Sequence, residues 1–154
     1  MTRQKFFLCT LLFFGAATTF IFGQEAIQSR PSPLAISAIR YKDAYIKITY
    51  SQPQKRGREI FGKLVPFDQV WRTGANEATE ITTTKNIQIN GTLLKAGTYS
   101  LFTIPQKDSW TIIINSEVGL WGSYNYNSKL DVMRFNIAPS TTDTVYESFT
   151  IQFD

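Results

Sequence analysis

From residue 34 onward, apolar and polar side chains alternate along most of the chain. Ile46, Ile48 and Tyr50 alternate with Lys47 and Thr49, the period of two expected when one face of a strand meets a core and the other meets water. This pattern predicts strands over Leu34–Arg40, Ala44–Tyr50, Val70–Thr73, Thr79–Thr84 and Asn86–Ile89, then a return strand starting at Leu93-Leu94. Further strands are predicted over Thr98–Ile104, Trp110–Asn115, Asp131–Ala138 and Thr144–Phe153. Asn90-Gly91 tolerates positive φ at both positions and predicts a tight type I′ hairpin. Pro105 closes its strand by removing a donor. The run Ile112-Ile113-Ile114 is apolar without a break, which predicts burial on both faces or a turn of one sheet onto another. In Asp131–Ala138, Val132, Arg134 and Asn136 fall on one face and Met133, Phe135 and Ile137 on the other. No stretch keeps helical spacing over three turns. The expected fold is all-β, an antiparallel β-sandwich or jelly-roll-like domain of eight or nine strands in two packed sheets.

The first 23 residues follow a different pattern. Arg3 and Lys5 precede the apolar run from Phe6 to Phe14, small residues follow from Gly15, and Gly23 offers a small residue at the expected cut. That is the layout of a secretory signal peptide. The expected organisation is a cleaved signal over residues 1–23, a flexible segment over 24–33 and a single β domain over 34–154. An uncleaved anchor is the alternative, since Phe6 to Gly23 spans 18 residues, at the lower limit for crossing a bilayer; Thr18, Thr19 and two glycines weaken it. Cys9 lies within the apolar run, too early to be a lipidated first residue. The expected location is therefore periplasmic or secreted, with no transmembrane segment after cleavage.

Composition narrows the chemistry. The chain of 154 residues contains no His and one Cys, so imidazole catalysis, imidazole metal ligation and intrachain disulfides are excluded. Neither a metal nor another cofactor is expected; a carboxylate-only site would favour Ca²⁺ at most. Ile, Val and Thr fill 34 of the 131 residues after Gly23, and their β-branched side chains reinforce the strand reading. The formal charge of +4 falls to +2 once Arg3 and Lys5 leave with the signal. Lys55-Arg56-Gly57-Arg58 is the one dense basic run, and without stacking aromatics beside it no nucleic-acid partner is expected. Oligomeric state has no signature in the sequence.

Two irregular segments hold the unusual residues. In the first, Val70-Trp-Arg-Thr-Gly-Ala-Asn-Glu77, adjacent Trp71 and Arg72 face opposite ways on an extended chain, and Gly74 and Asn76 permit a bend. The expected account is a structural corner, with Arg72 paired to Glu77 or to loop carbonyls, Asn76 bonded to nearby backbone and Trp71 filling the core. The alternative makes Arg72, Asn76 and Glu77, with Arg58, the polar lining of a ligand pocket floored by Trp71, because a guanidinium fork suits carboxylate, phosphate or sugar hydroxyls. The second segment, Glu117 to Ser128, carries Trp121, Tyr124 and Tyr126 between glycines. Its rings either fold back as a lid or stay exposed to stack on sugar faces.

Three stretches, Gly57 to Pro66, Val70 to Thr79 and Ala96 to Pro105, read G-R-E-I-F-G-K-L-V-P, V-W-R-T-G-A-N-E-A-T and A-G-T-Y-S-L-F-T-I-P. On these motifs, in this order, the chain from about Ser32 to Asp154 resembles the bacterial exported proteins grouped as domain of unknown function 2911. The resemblance implies export and supplies no activity, cofactor or catalytic residue. The residues themselves leave three function classes. The first is a non-enzymatic binding module for a glycan, peptide, small molecule or envelope component. The second is a carboxylate-dependent hydrolase using Glu77 with Glu80 or Asp68, which requires two carboxyls across one cleft. The third is a structural envelope or assembly domain.

Overall fold

The computed structural model describes residues 29–154; the expected signal over 1–23 and the start of the segment 24–33 lie outside them. The described residues form eight strands: β1 (Leu34–Tyr41), β2 (Ala44–Ser51), β3 (Thr79–Thr83), β4 (Ile87–Ile89), β5 (Thr92–Leu94), β6 (Gly97–Pro105), β7 (Trp110–Asn115) and β8 (Asp131–Ile137), with one 3₁₀ turn at Ser128–Leu130. Six strands make an antiparallel sheet in the order β1-β2-β3-β6-β7-β8, and β4-β5 form a separate two-stranded sheet. The all-β reading holds, and the arrangement is consistent with a sandwich. Sheet neighbours are also neighbours in sequence apart from the β4-β5 excursion, so the large sheet is a meander.

Register explains the core. Ile48 faces Ile81 across β2-β3, Ile81 faces Tyr99 across β3-β6, and Leu101, Ile114 and Met133 line up across β6-β7-β8. All of these side chains stand on one face, and they pack with the hairpin residues Ile87, Ile89 and Leu94 and with Phe149, Ile151 and Phe153. The second layer is thus the small sheet plus the segment from Phe149 to Phe153. On the opposite face, Phe102 of β6 pairs with Ile113 of β7, both fully buried against Ala78, Val70, Leu120 and Tyr126. Ile113 and Ile114 are therefore both buried but in different clusters, as the unbroken apolar run predicts. Asn90 and Gly91 have φ of 48° and 77°, and Ile89 pairs with Thr92 across them, as a type I′ turn requires.

Two predicted strands do not form. Thr144–Phe153 makes only one bridge, Ser148 to Gln54. Its neighbour includes Pro53, which has no N–H to extend a ladder, so only the Pro53 carbonyl takes part, accepting from Phe149 N at 2.9 Å. The alternating side chains of this segment instead cover the sheet from above. Val70–Thr73 makes one bridge as well, Trp71 to Thr103. Thr73 has φ of 57°, outside the β region, and the pairing stops there.

Candidate functional site

The connection from β2 to β3 runs from residue 52 to 78 and contains four of the six non-glycine residues with positive φ among the described residues: Arg56, Asp68, Thr73 and Asn76. Such conformations persist only where surrounding contacts impose them. At Thr73 these contacts are explicit. Its carbonyl accepts from Thr79 Oγ1 at 2.7 Å and its hydroxyl donates to Thr103 Oγ1 at 3.1 Å, while Trp71 Nε1 donates to Gly74 O at 3.1 Å. Gly74 does not supply the bend, for its φ is not positive; a Cβ there would stand 2.9 Å from Ser51 O, so the position needs a hydrogen for close packing. The bend belongs to Thr73 and Asn76.

Thus held, Trp71 N and O both bond to Thr103, and its ring enters an edge-to-face cluster with Phe149 at 5.2 Å and Phe61 at 5.8 Å between centroids. Phe61 reaches Trp110 at 4.7 Å, and Phe149 reaches Tyr50 at 5.7 Å. Against this cluster opens a groove of about 870 Å³, bounded by the β2-β3 connection, the loop around Tyr124 and the segment Tyr146 to Gln152. That volume lies in the range of small-molecule sites, and the mixture of apolar walls with a few polar groups is the usual composition of one.

Its charged lining is Lys55, Arg58, Arg72 and Glu147. Arg58 is fixed by its own loop, with Nη2 donating to Gln54 O at 2.7 Å and Nε to Lys55 O at 3.0 Å. Glu147 Oε1 accepts from Arg56 N at 2.7 Å. Arg72 Nε is buried and has no hydrogen-bond partner among the described residues. Gly122, with φ of 71°, makes room for Arg72 and for Tyr124: a Cβ there would stand 3.2 Å from Arg72 Nη1 and 2.7 Å from the Tyr124 ring.

The expected Arg72–Glu77 pair is not present. Arg30 Nη1 donates to both Glu77 oxygens, at 2.7 and 2.9 Å, and Ser51 Oγ donates at 3.4 Å. The Glu77 carboxyl is held below its ordinary pKa, first by its own backbone N–H and then, against some desolvation, by Arg30. Asn76 takes the structural role expected of it, with Nδ2 donating to Ser32 O at 3.3 Å and to Ser51 Oγ at 3.4 Å. Glu77 and Glu80 line a separate depression of about 390 Å³, where Glu80 Oε1 accepts from Gly119 N at 2.9 Å. Asp68 is elsewhere. Its N–H bonds to Pro105 O, whereas Glu80 is level with Ser100, five residues back along β6. That is roughly 17 Å of strand between their backbone positions, and Asp68 is not among the residues around the depression that Glu77 and Glu80 share.

The second irregular segment divides its rings. Tyr126 folds back onto Phe102 at 5.1 Å, its hydroxyl donating to Asp131 Oδ2 at 2.7 Å and accepting from Arg134 Nη2 at 2.8 Å. Burial first, then the bond to Asp131, pushes its phenol pKa up. The fully buried Asn115 ties the same loop, donating to Asn127 O and Asp131 Oδ1 and accepting from Glu117 N. Trp121 and Tyr124 stay out, 57% and 81% exposed. Trp121 lies at a bridge to Glu77, away from the groove, while Tyr124 lines it.

Of the candidate residues, the groove therefore unites Arg58, Trp71, Arg72 and Tyr124, and leaves out Asn76, Glu77, Trp121 and Tyr126. Phe61, Tyr146 and Phe149 join it. Phe61 lies within the motif Gly57 to Pro66, which marks it; Phe149 lies in an alternating stretch that reads as an ordinary strand and carries no such mark.

Among the described residues no helix is long and apolar enough to cross a membrane, and no cluster of three or more metal-ligating side chains occurs. In comparisons with known proteins, a family model described as a protein of unknown function, DUF2911, matches residues 32–154. No curated protein and no solved structure matches the chain.

Proposed function

We propose that this chain, which belongs to the DUF2911 family of proteins of unknown function, is an exported, non-enzymatic binding domain whose groove beside Trp71 takes a glycan, peptide or small molecule of the cell envelope. Export rests on the basic start, apolar run and small residue at Gly23. The observation that carries the binding role is the pairing of a rigid interior wall with exposed rings at the opening. Trp71 is locked by hydrogen bonds to Thr103 and Gly74, whereas Tyr124 and Tyr146 at the rim are 81% and 67% exposed. Large apolar rings held in water around a concavity mark an interaction site.

Hydrolysis by paired carboxylates is the weaker reading. With Glu77 held in its ionised form by its backbone N–H and Arg30, the general acid of such a pair would have to be Glu80, whose Oε1 accepts from Gly119 N; the groove itself has Glu147 as its one carboxylate among the described residues.

The test is a screen of residues 24–154 against envelope glycans, peptidoglycan fragments and peptides, followed by titration of each hit with Tyr124→Ala. A ligand seated in the groove loses about tenfold in affinity, the scale of one stacking contact, while the melting temperature stays unchanged. Hits indifferent to Tyr124→Ala and to Phe61→Ala would place binding elsewhere.

A further inference from the structure

The geometry points to an anionic ligand: we infer that the groove recognises a carboxylate or phosphate carried on an apolar or aromatic body, and that Arg72 is the residue that reads the charge. The inference rests on the groove being a binding site and adds the chemical class of what it binds. The first observation is the charge balance. Lys55, Arg58 and Arg72 line the groove against the single carboxylate of Glu147, whose Oε1 is already engaged by Arg56 N. The second is the state of Arg72. Among the described residues neither ion pair involves it, and its buried Nε has no hydrogen-bond partner. With Nε already dehydrated, an anion arriving at the Nη groups displaces less water than it would from a fully hydrated guanidinium, and it gains charge-assisted hydrogen bonds there in return.

Preorganisation adds to this. Arg58 is held by two carbonyls of its own loop, so little side-chain freedom remains for a ligand to freeze. Gly122 leaves Arg72 Nη1 its place under the loop that carries Tyr124, so the cation and the exposed ring border the same opening. The adjoining wall is Phe61, Trp71 and Phe149, which suits the uncharged remainder of the ligand. Charge and apolar surface thus lie side by side, and the fitting partner carries both.

Three naphthalene probes that share one ring system separate these contributions: 2-naphthoate, 2-naphthyl phosphate and uncharged 2-naphthamide. Binding to the mature chain is followed by the NMR shift of the Trp71 indole N–H. The expected result is that at least one anion binds about tenfold or more tighter than the amide, a difference of ~1.4 kcal/mol; whichever anion binds better identifies the natural group as carboxylate or phosphate. In Arg72→Met the anions should fall to the affinity of the amide, and in Arg72→Lys, which keeps the charge without the fork, part of the preference should remain. Equal binding of amide and anions, or a preference that survives in Arg72→Met, overturns anion recognition while the amide titration still supports the groove as a site. No shift of Trp71 with any of the three probes overturns the inference of an anion on an aromatic body, while the groove as a site then stands or falls on the glycan and peptide screen.

Discussion

Thr73 keeps a β-branched side chain at a φ of 57°, a conformation that costs about 1 to 3 kcal/mol and is held in place by its bonds to Thr79 and Thr103. The strain turns the chain immediately after Arg72 and so fixes where that guanidinium sits. Because Glu77 belongs to Arg30, removing Arg72 strands no carboxylate. Arg72→Met should therefore change stability by less than about 1 kcal/mol, against the 3 to 5 expected when a buried pair is broken. Urea denaturation with an unchanged slope checks this. Glu77 behaves differently. Its folded pKa is depressed, so its contribution is present above the unfolded value near 4.3 and is lost as pH falls through the lower folded value. With a carboxylate side chain 41% exposed, Glu77→Gln should be less stable than wild type by under about 1 kcal/mol at pH 7, and the difference should shrink as the pH is taken well into the acid range, below the unfolded value. Denaturation midpoints at neutral and acid pH decide it. The Arg72–Glu77 pairing suggested by closeness in sequence fails for a physical reason: the true partner, Arg30, is 47 residues away, and sequence carries no trace of a contact between irregular segments.

At the scale of elements, strands paired with near neighbours were legible because burial on one face imprints a period of two. The alternation at Ile46, Ile48 and Tyr50 and the split of Met133 and Phe135 from Arg134 and Asn136 both appear in which side chains the strands bury. The same period in residues 144–153 misleads, since a cover with one apolar side alternates as a strand does, and only hydrogen bonding separates them. Glycines give a sharper comparison. Gly91 and Gly122 have φ of 77° and 71°, but a Cβ at Gly91 meets nothing within 4 Å, while at Gly122 it would strike the Tyr124 ring and approach Arg72. Alanine at either position should cost about 1 to 2 kcal/mol from the left-handed backbone. Only Gly122→Ala should also weaken 2-naphthoate binding, by displacing Tyr124. Paired denaturation and titration of the two variants test this, and equal loss of binding in both would argue against Tyr124 bordering the site.

For the whole molecule, the sheet is covered on one side by the β4-β5 hairpin and residues 149–153, so the same segment completes the core and walls the groove. Phe149→Ala should cost about 3 kcal/mol, the lower end for a buried Phe because the ring is partly exposed, and it should shift Trp71 fluorescence as their contact at 5.2 Å is lost. Chemical denaturation followed by fluorescence reads both. The groove was only half legible in the sequence: Trp71 and Arg72 stand in a dense irregular motif, whereas Phe149 arrives from the far end of the chain. That distance has a kinetic side. Meander strands close short loops, but Tyr50 meets Ile151 across 101 residues and Arg56 meets Glu147 across 91. The entropy of closing a loop rises with its length, and contacts of high contact order form late. The sheet is thus expected to assemble first and the groove last, so a chain halted partway through folding would already be resistant to proteases at its centre while the concavity beside Trp71 was still unformed.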